Sequence, residues 1–138
     1  MSVMSIRHEG GDRYRIAIRG HEVLVDQPVE DGGDDAAPTP TELFVAGLAS
    51  CVAFYGGRFL RRHELPTAGF EVDGEFELAR DRPARVASIR IDVRLPGGFP
   101  EERRESFLAV VRHCTVHNSI TMKPDIAIAL ATERRRAA

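Results

Sequence analysis

Hydrophobic and polar residues alternate most clearly in two runs of the second half of the chain, and both have the two-residue period of a strand with one wet face. Between positions 70 and 78, apolar residues and one glycine alternate with acidic residues. Between positions 89 and 95, apolar residues alternate with Arg90, Asp92 and Arg94. A proline-containing turn separates the runs. We therefore predict a hairpin whose mostly acidic and mostly basic outer faces attract each other by roughly a few tenths of a kcal/mol per pair.

Three shorter runs near the N-terminus predict strands at positions 5–9, 14–18 and 22–26. Glycine-containing turns separate them, so the three strands should form a meander. The polar run at 27–38 contains two prolines and two glycines, which is typical of a loop.

The longest apolar stretch, residues 43–54, follows residues that are typical of a helix start. Thr39 and Glu42 have the spacing of a capping box, and Pro40 falls at the first helical position. No residue in 43–54 gives the helix a polar face, so we predict a helix from Pro40 to about His63 that protein encloses on all sides. One thin sheet and one further helix cannot cover it. We therefore expect a homodimer in which the central helices pack against their partners.

The C-terminal third predicts a second helix and a last strand. Pro100 suits the first position of the second helix. A single helical turn over 115–122 and a strand over 125–130 should follow. The predicted order is β-β-β-α-β-β-α-β, which belongs to the α+β class, in a single domain over residues 1–138 whose residues 132–138 form a frayed tail.

Composition and charge limit the classes of function and partner to be considered. The chain has 19 lysines and arginines against 21 aspartates and glutamates, and its net charge of −2 gives no reason to expect nucleic acid or an anionic membrane as partner. The N-terminus lacks the apolar core of a secretory signal, and we predict that no later stretch is long and apolar enough to span a membrane. The expected location is the cytoplasm.

Two cysteines carry the candidate chemistry. Cys51 and Cys114 lie 63 positions apart and do not form a disulfide framework. In a reducing compartment such a pair is more often free, metal-binding or catalytic than structural. Gly47 lies one helical turn before Cys51 on the same face, and leaves space over the sulfur that a small substrate or another backbone could fill. Apolar surroundings raise the pKa of a thiol, so a cation from elsewhere in the fold would have to activate Cys51.

A metal site and a structural role are the alternatives for these cysteines. Zinc would favour the cluster of His113, Cys114 and His117. However, the chain has no Cys-x-x-Cys motif, and both histidines are explained equally well as a helix-end cation and a surface or capping residue. We predict neither a metal nor another cofactor. Cys51 alone could equally be a small buried hydrophobic residue.

Each cysteine lies in a distinctive motif. The motifs are Pro38-Thr39-Pro40-Thr41-Glu42-Leu43-Phe44 leading to Ala49-Ser50-Cys51, and His113-Cys114-Thr115-Val116-His117-Asn118. Together they resemble the OsmC/Ohr family (osmotically inducible protein C and organic hydroperoxide resistance protein). The resemblance covers nearly the whole chain. It implies an intertwined homodimer with two equivalent active sites at the subunit interface.

The same resemblance implies an activity. Characterised members reduce organic and fatty-acid hydroperoxides with a peroxidatic cysteine on the central helix and a second cysteine that resolves the sulfenic acid into an intrachain disulfide. These roles fall on Cys51 and Cys114, and a dithiol reductant completes the cycle. The residues expected to line the apolar substrate pocket are Phe44, Gly47, Leu48, Phe54 and Met122.

The chain departs from the peroxidase branch of the family at two places. That branch completes its site with an arginine from the N-terminal meander and a glutamate at the head of the central helix. Here Thr41 occupies the glutamate position. Glu42 is one residue later, about 13 Å from Cys51 along the helix axis and on the opposite side of the helix. It could therefore at most orient an arginine across the dimer. Its capping role explains the presence of Glu42 fully. Arg13 is the predicted activating arginine and Arg19 the alternative.

These departures leave two classes of function open. In the first, the protein is a thiol peroxidase for organic hydroperoxides in oxidative-stress defence. In the second, it is a non-enzymatic OsmC-like protein that binds an apolar ligand or a partner in the same cleft.

Overall fold

Two small antiparallel sheets and three helices make up the described part of the computed structural model, which covers residues 3–131. The predicted frayed tail at 132–138 lies outside these residues. In chain order the elements are β1 (Met4–Gly10), β2 (Arg13–Ile18), β3 (His21–Val25), α1 (Pro40–Arg62), β4 (Glu71–Leu78), β5 (Val86–Arg94), α2 (Arg104–Val111) and α3 (Thr115–Thr121). The predicted α+β class is confirmed.

Strands β1, β2 and β3 form the predicted meander. Ile6 of β1 lies opposite Ile16 of β2, so the two side chains share one face of the sheet. On the other face, Arg15 forms salt bridges with Glu9 and Glu22. The meander therefore has one apolar face, which lies beside the first turn of α1.

Strands β4 and β5 form the predicted hairpin, and two pairs on its outer face have the expected opposite charges, whereas Asp73 lies opposite Asp92. Glu71 lies opposite Arg94 and accepts hydrogen bonds of 3.0 and 2.6 Å from it. The inner face packs on α1, and a Cβ added at Gly74 would lie 3.4 Å from the Cβ of Ala49. A glycine in the middle of β4 is thus explained by the close approach of the helix.

Helix α1 begins where the sequence predicts. The Thr39 hydroxyl accepts from the amide of Glu42 at 3.1 Å, and the Glu42 carboxylate accepts from the amide of Thr39 at 2.9 Å. This is a complete capping box, with Pro40 as the first helical residue. The helix ends at Arg62, and His63 is its C-cap.

One chain covers only one side of α1, in agreement with the expectation that one sheet and one further helix cannot enclose it. Leu48, Val52 and Leu60 are buried, whereas Phe44 and Phe54 are 46 and 54% exposed. In length and apolar composition α1 also qualifies as a membrane span, which corrects the prediction that no stretch does. Its packing against the hairpin and α2 makes it the core helix of this fold.

The core of the chain centres on Phe107 of α2, which is 1% exposed. Its ring makes edge contacts with Phe59 and Phe99, at centroid distances of 5.4 and 5.6 Å. Phe70 packs on the same ring at 6.3 Å. This aromatic cluster joins α1, α2 and the residue that precedes β4.

The loop between β3 and α1 is held by a buried carboxylate. Asp26 is 1% exposed and accepts hydrogen bonds from the amides of Gln27, Asp34 and Ala36, at 2.8, 3.3 and 3.0 Å. The Ala36 amide is the largest of the causes that lower the pKa of Asp26. The ionised form is therefore favoured in the folded chain. The resulting stabilisation is present above the ordinary aspartate pKa and is lost as the pH falls through the lowered one.

The start of α2 differs from its prediction. Pro100 is the N-cap of a 3-10 turn at Glu101–Arg103, and α2 begins only at Arg104. Proline suits both positions, because neither needs its amide, so sequence alone could not distinguish them. Helix α3 spans Thr115–Thr121, which is nearly the whole predicted segment 115–122, in about two turns rather than one.

The predicted last strand at 125–130 is wrong for the described chain, because this segment has no regular secondary structure. Ile126, Ile128 and Leu130 are 79, 95 and 103% exposed. They alternate with alanines, so the period of a strand is present. A strand also needs a hydrogen-bonded neighbour, and within residues 3–131 no strand pairs with this segment.

Candidate active site

The fold brings the two cysteines together. Cys51 lies on α1 and is half-buried, whereas Cys114 lies between α2 and α3 and is completely buried. The two side chains pack in the same hydrophobic cluster, and Cys51 lies near enough to Cys114 to raise the pKa of its thiol. Both are free thiols. Residues 63 positions apart in the chain therefore share one site.

The surroundings of Cys114 keep it protonated near neutral pH. Burial is the main factor that raises the pKa of this thiol, and the contact with Cys51 raises it further. The amides of His117 and Val116 act in the opposite direction. Cys114 is the N-cap of α3, and its sulfur accepts from the His117 amide at 3.4 Å.

A hydrogen bond beside the thiols joins the two segments that carry them. Tyr55 lies one helical turn after Cys51, and its hydroxyl oxygen is 2.9 Å from the hydroxyl oxygen of Thr115. Thr115 directly follows Cys114. Sequence reasoning missed Tyr55, although its spacing of four from Cys51 places it on the same face of α1.

An apolar groove of about 530 Å³ lies between α1, β5, α2 and α3. Six of its apolar lining residues are Phe44, Leu48, Val52, Ile91, Leu108 and Ile120. Leu48 and Val52 are the neighbours of Cys51 at −3 and +1 on α1, so the groove passes near Cys51, although neither cysteine is among its lining residues. Arg112 also lines the groove.

The predicted pocket residues fall in different places. Phe44 and Leu48 line the groove. Phe54 and Met122 are not among its lining residues and are 54 and 80% exposed, and Arg58 lies over the Phe54 ring at 5.7 Å. A Cβ added at Gly47 would meet no atom of the chain within 4 Å, so the space predicted there is open.

Two of the three predicted charged residues of the site, Glu42 and Arg13, are engaged elsewhere in the chain. The Glu42 carboxylate belongs to the capping box of α1. The Arg13 guanidinium pairs with the Asp34 carboxylate at 3.5 Å, and Arg19 lies in the turn between β2 and β3. In the described chain no hydrogen bond or salt bridge joins any of these three to a cysteine.

The cluster considered as a zinc site does not form a set of metal ligands. Within residues 3–131, no three histidine, cysteine, aspartate or glutamate side chains are placed to hold a metal ion. The His117 ring contacts the carbonyl of Arg112, and the His113 carbonyl accepts from the Asn118 side chain at 3.2 Å.

Solved structures of known proteins share this fold. A protein of Psychrobacter arcticus 273-4, described as an osmotic stress induced and detoxification response protein, aligns with a TM-score of 0.78 and 26% identity, over 86% of this chain and 88% of its own. An organic hydroperoxide resistance protein OsmC from Legionella pneumophila aligns with a TM-score of 0.66 and 18% identity, over 87 and 88%.

A third solved structure, from Vibrio cholerae, is named as an organic hydroperoxide resistance protein and has captopril bound in one of its active sites. It aligns with a TM-score of 0.66 and 17% identity, over 88% of this chain and 85% of its own. Comparison with curated protein sequences gives no significant match. The family model for OsmC-like protein matches residues 32–129, which include both cysteines, all of α1 and the groove. The chain therefore belongs to the OsmC-like protein family.

Proposed function

We propose that the protein is a thiol-dependent peroxidase that reduces organic, fatty-acid-type hydroperoxides in oxidative-stress defence. The contact between Cys51 and Cys114 carries this proposal, because a peroxidatic cysteine needs a second thiol within reach to resolve its sulfenic acid. The apolar groove beside α1 supports an organic substrate rather than hydrogen peroxide. The related proteins of Legionella and Vibrio are named for organic hydroperoxide resistance. The proposed location is the cytoplasm, where a dithiol reductant is present.

In the first step the Cys51 thiolate attacks the outer oxygen of the hydroperoxide. The oxygen–oxygen bond breaks, the inner oxygen takes a proton and leaves as an alcohol, and Cys51 becomes a sulfenic acid. Cys51 suits this role because it is half-buried and Gly47 leaves open space beside it, whereas Cys114 is buried. The raised pKa of Cys114 also makes it the weaker candidate for the attacking thiolate.

In the second step Cys114 attacks the sulfur of the Cys51 sulfenic acid. The sulfur–oxygen bond breaks, and hydroxide leaves with the proton of the Cys114 thiol as water. The product is an intrachain disulfide between Cys51 and Cys114. An external dithiol then reduces the disulfide by exchange and returns both thiols.

Activation of Cys51 requires a positive charge, since a thiolate in apolar surroundings is otherwise disfavoured. We propose that Arg13 of a second copy supplies this charge, with Arg19 as the alternative. In its own chain Arg13 is half-exposed and pairs only weakly, at 3.5 Å, with an exposed aspartate, so it is free to turn toward a partner.

The active assembly is a homodimer. Two apolar surfaces are left bare by the described chain, namely the side of α1 with Phe44 and Phe54 and the segment at 125–130. Large exposed apolar surfaces in a folded chain mark interaction sites. A second copy that covers both would place the active sites at the subunit interface.

Light scattering at micromolar concentration should therefore give twice the mass of the chain. Ile128→Lys should shift the protein toward monomer, because it places a charge on the bare segment at 125–130. Glu105→Lys, which adds a lysine at an exposed position of α2, is the matched control and should remain dimeric. A monomeric wild type at this concentration would refute the interfacial site.

The function itself is tested by titrating the reduced protein with one equivalent of cumene hydroperoxide. Both free thiols should disappear together, and a peptide map should show the Cys51–Cys114 disulfide. Hydrogen peroxide should react more slowly under the same conditions, since it has no apolar group whose binding in the groove could stabilise the transition state. Slow and independent loss of the two thiols would instead contradict the peroxidase proposal.

A second candidate function is a non-enzymatic OsmC-like protein that binds an apolar ligand or a partner in the groove. Two observations favour it, namely Thr41 at the expected glutamate position and the use of Glu42 as a cap. In that case both thiols would react slowly with hydroperoxide. The same titration distinguishes the two, because a binding protein has no reason to couple the oxidation of its cysteines.

A further inference from the structure

We infer that Tyr55 is a positioning residue for disulfide formation, and that its hydrogen bond to Thr115 holds the Cys114 segment against the Cys51 helix. The importance of this role for catalysis rests on the proposed function. The hydrogen bond and the two thiols, however, are features of the fold itself, so the role can be measured without a peroxide.

The hydrogen bond is placed where it controls the distance between the two sulfurs. Tyr55 follows Cys51 by four residues and so lies one turn further along the same face of α1. Its hydroxyl reaches Thr115, the residue bonded to Cys114, with an oxygen–oxygen distance of 2.9 Å. The bond therefore connects the two thiol-bearing segments within one helical turn of the sulfurs.

Few other polar contacts could hold the Cys114 segment against α1. In the described residues no other side-chain hydrogen bond joins α1 to residues 114–121. Helix α3 has only seven residues, so it depends on tertiary contacts to keep its place. Tyr55 also packs on the cluster that contains Cys114, and Phe54 makes an edge contact with its ring at 5.4 Å.

Positioning of this kind affects one step of the cycle more than the other. Of the two cysteines, only Cys51 takes part in the attack on a hydroperoxide, and α1 holds it without help from the Cys114 segment. Closure of the disulfide requires both segments to be in place, so its rate and equilibrium depend on how often Cys114 lies beside Cys51. If Cys114 is displaced, the sulfenic acid persists and a second peroxide oxidises it to sulfinic acid.

The first measurement is the equilibrium of the Cys51–Cys114 disulfide with oxidised and reduced dithiothreitol. Tyr55→Phe should lower the equilibrium constant for disulfide formation by about two- to ten-fold, which is the effect of one hydrogen bond. Thr115→Val should have the same effect, and the double variant should be no worse than either single one, because both remove the same bond. Thr115→Ser keeps the hydroxyl and should behave like wild type.

Ser119→Ala is the matched control, since it removes the 2.9 Å hydrogen bond from Ser119 to the Thr115 carbonyl inside α3 and leaves the link to α1 intact. It should leave the disulfide equilibrium unchanged. An unchanged equilibrium in Tyr55→Phe, or an equal loss in Ser119→Ala, would overturn the inference. A wild type that forms no Cys51–Cys114 disulfide at all would overturn it as well.

The second measurement is the reaction with cumene hydroperoxide, followed in time. Tyr55→Phe should leave the rate of sulfenic acid formation unchanged, slow disulfide closure and increase over-oxidation of Cys51. Equal slowing of both steps would indicate a general structural role and overturn the inference. If the dithiothreitol equilibrium responds as expected while wild type fails to react with hydroperoxide, the positioning role stands and the proposed peroxidase function fails.

Discussion

Replacing Cys51 with serine should slow the reaction with organic hydroperoxide by roughly a thousandfold or more and leave Cys114 reduced after one equivalent of oxidant. A serine hydroxyl is not ionised at neutral pH, so the attacking thiolate is lost. Cys114 cannot take over, because it is buried and its pKa is raised. Thiol counting and peptide mapping after addition of cumene hydroperoxide measure the effect.

Replacing Cys114 with serine is the counterpart, and it should give a different product. Cys51 should still react, but the reaction should stop at sulfenic acid, which a dimedone adduct would trap, or continue to sulfinic acid. The alcohol should still be released once per chain. Loss of Cys114 at the wild-type rate in the Cys51→Ser protein would reverse the proposed roles of the two cysteines.

Replacing Phe107 with alanine should lower the free energy of unfolding by about 3–5 kcal/mol. The side chain is 1% exposed, and three other phenylalanines pack against its ring. Alanine would leave a cavity at the point where α1 and α2 meet, and the surrounding rings could fill it only in part. Urea denaturation of the two proteins, at equal protein concentration, measures the difference.

Phe107→Leu is the control for this prediction, because it keeps most of the apolar volume and removes the edge contacts between rings. It should cost only ~1.5 kcal/mol. A loss below about 1 kcal/mol for Phe107→Ala would mean that the cluster collapses onto the vacated space. That result would contradict the central place assigned to this ring in the core.

The elements that the sequence predicts well are those whose determinants are local. The capping box of α1 needs only Thr39 and Glu42, and both form it as expected. The hairpin β4–β5 follows from alternation in two neighbouring runs, so its pairing needs no distant partner. The failed strand at 125–130 has the same alternation but no neighbour in the described chain, and a pattern of side chains cannot show whether a neighbour exists.

For the candidate site too, the features with local determinants could be predicted and the tertiary contacts could not. The identities of Cys51 and Cys114 could be predicted from two local motifs, but their contact is tertiary and required the fold. Glu42 could be assigned to the cap because helical geometry separates it from Cys51. Tyr55 was missed because its importance comes from Thr115, 60 positions away, and no local pattern marks that pair.

The bare side of α1 has a consequence for how this protein folds. In the proposed dimer, the residues that stabilise α1 come partly from another molecule, so the folded state of one chain includes a bimolecular step. Folding and association then form a single equilibrium. The thermal midpoint should rise with protein concentration, and dilution alone should unfold or inactivate a protein whose sequence and solvent have not changed.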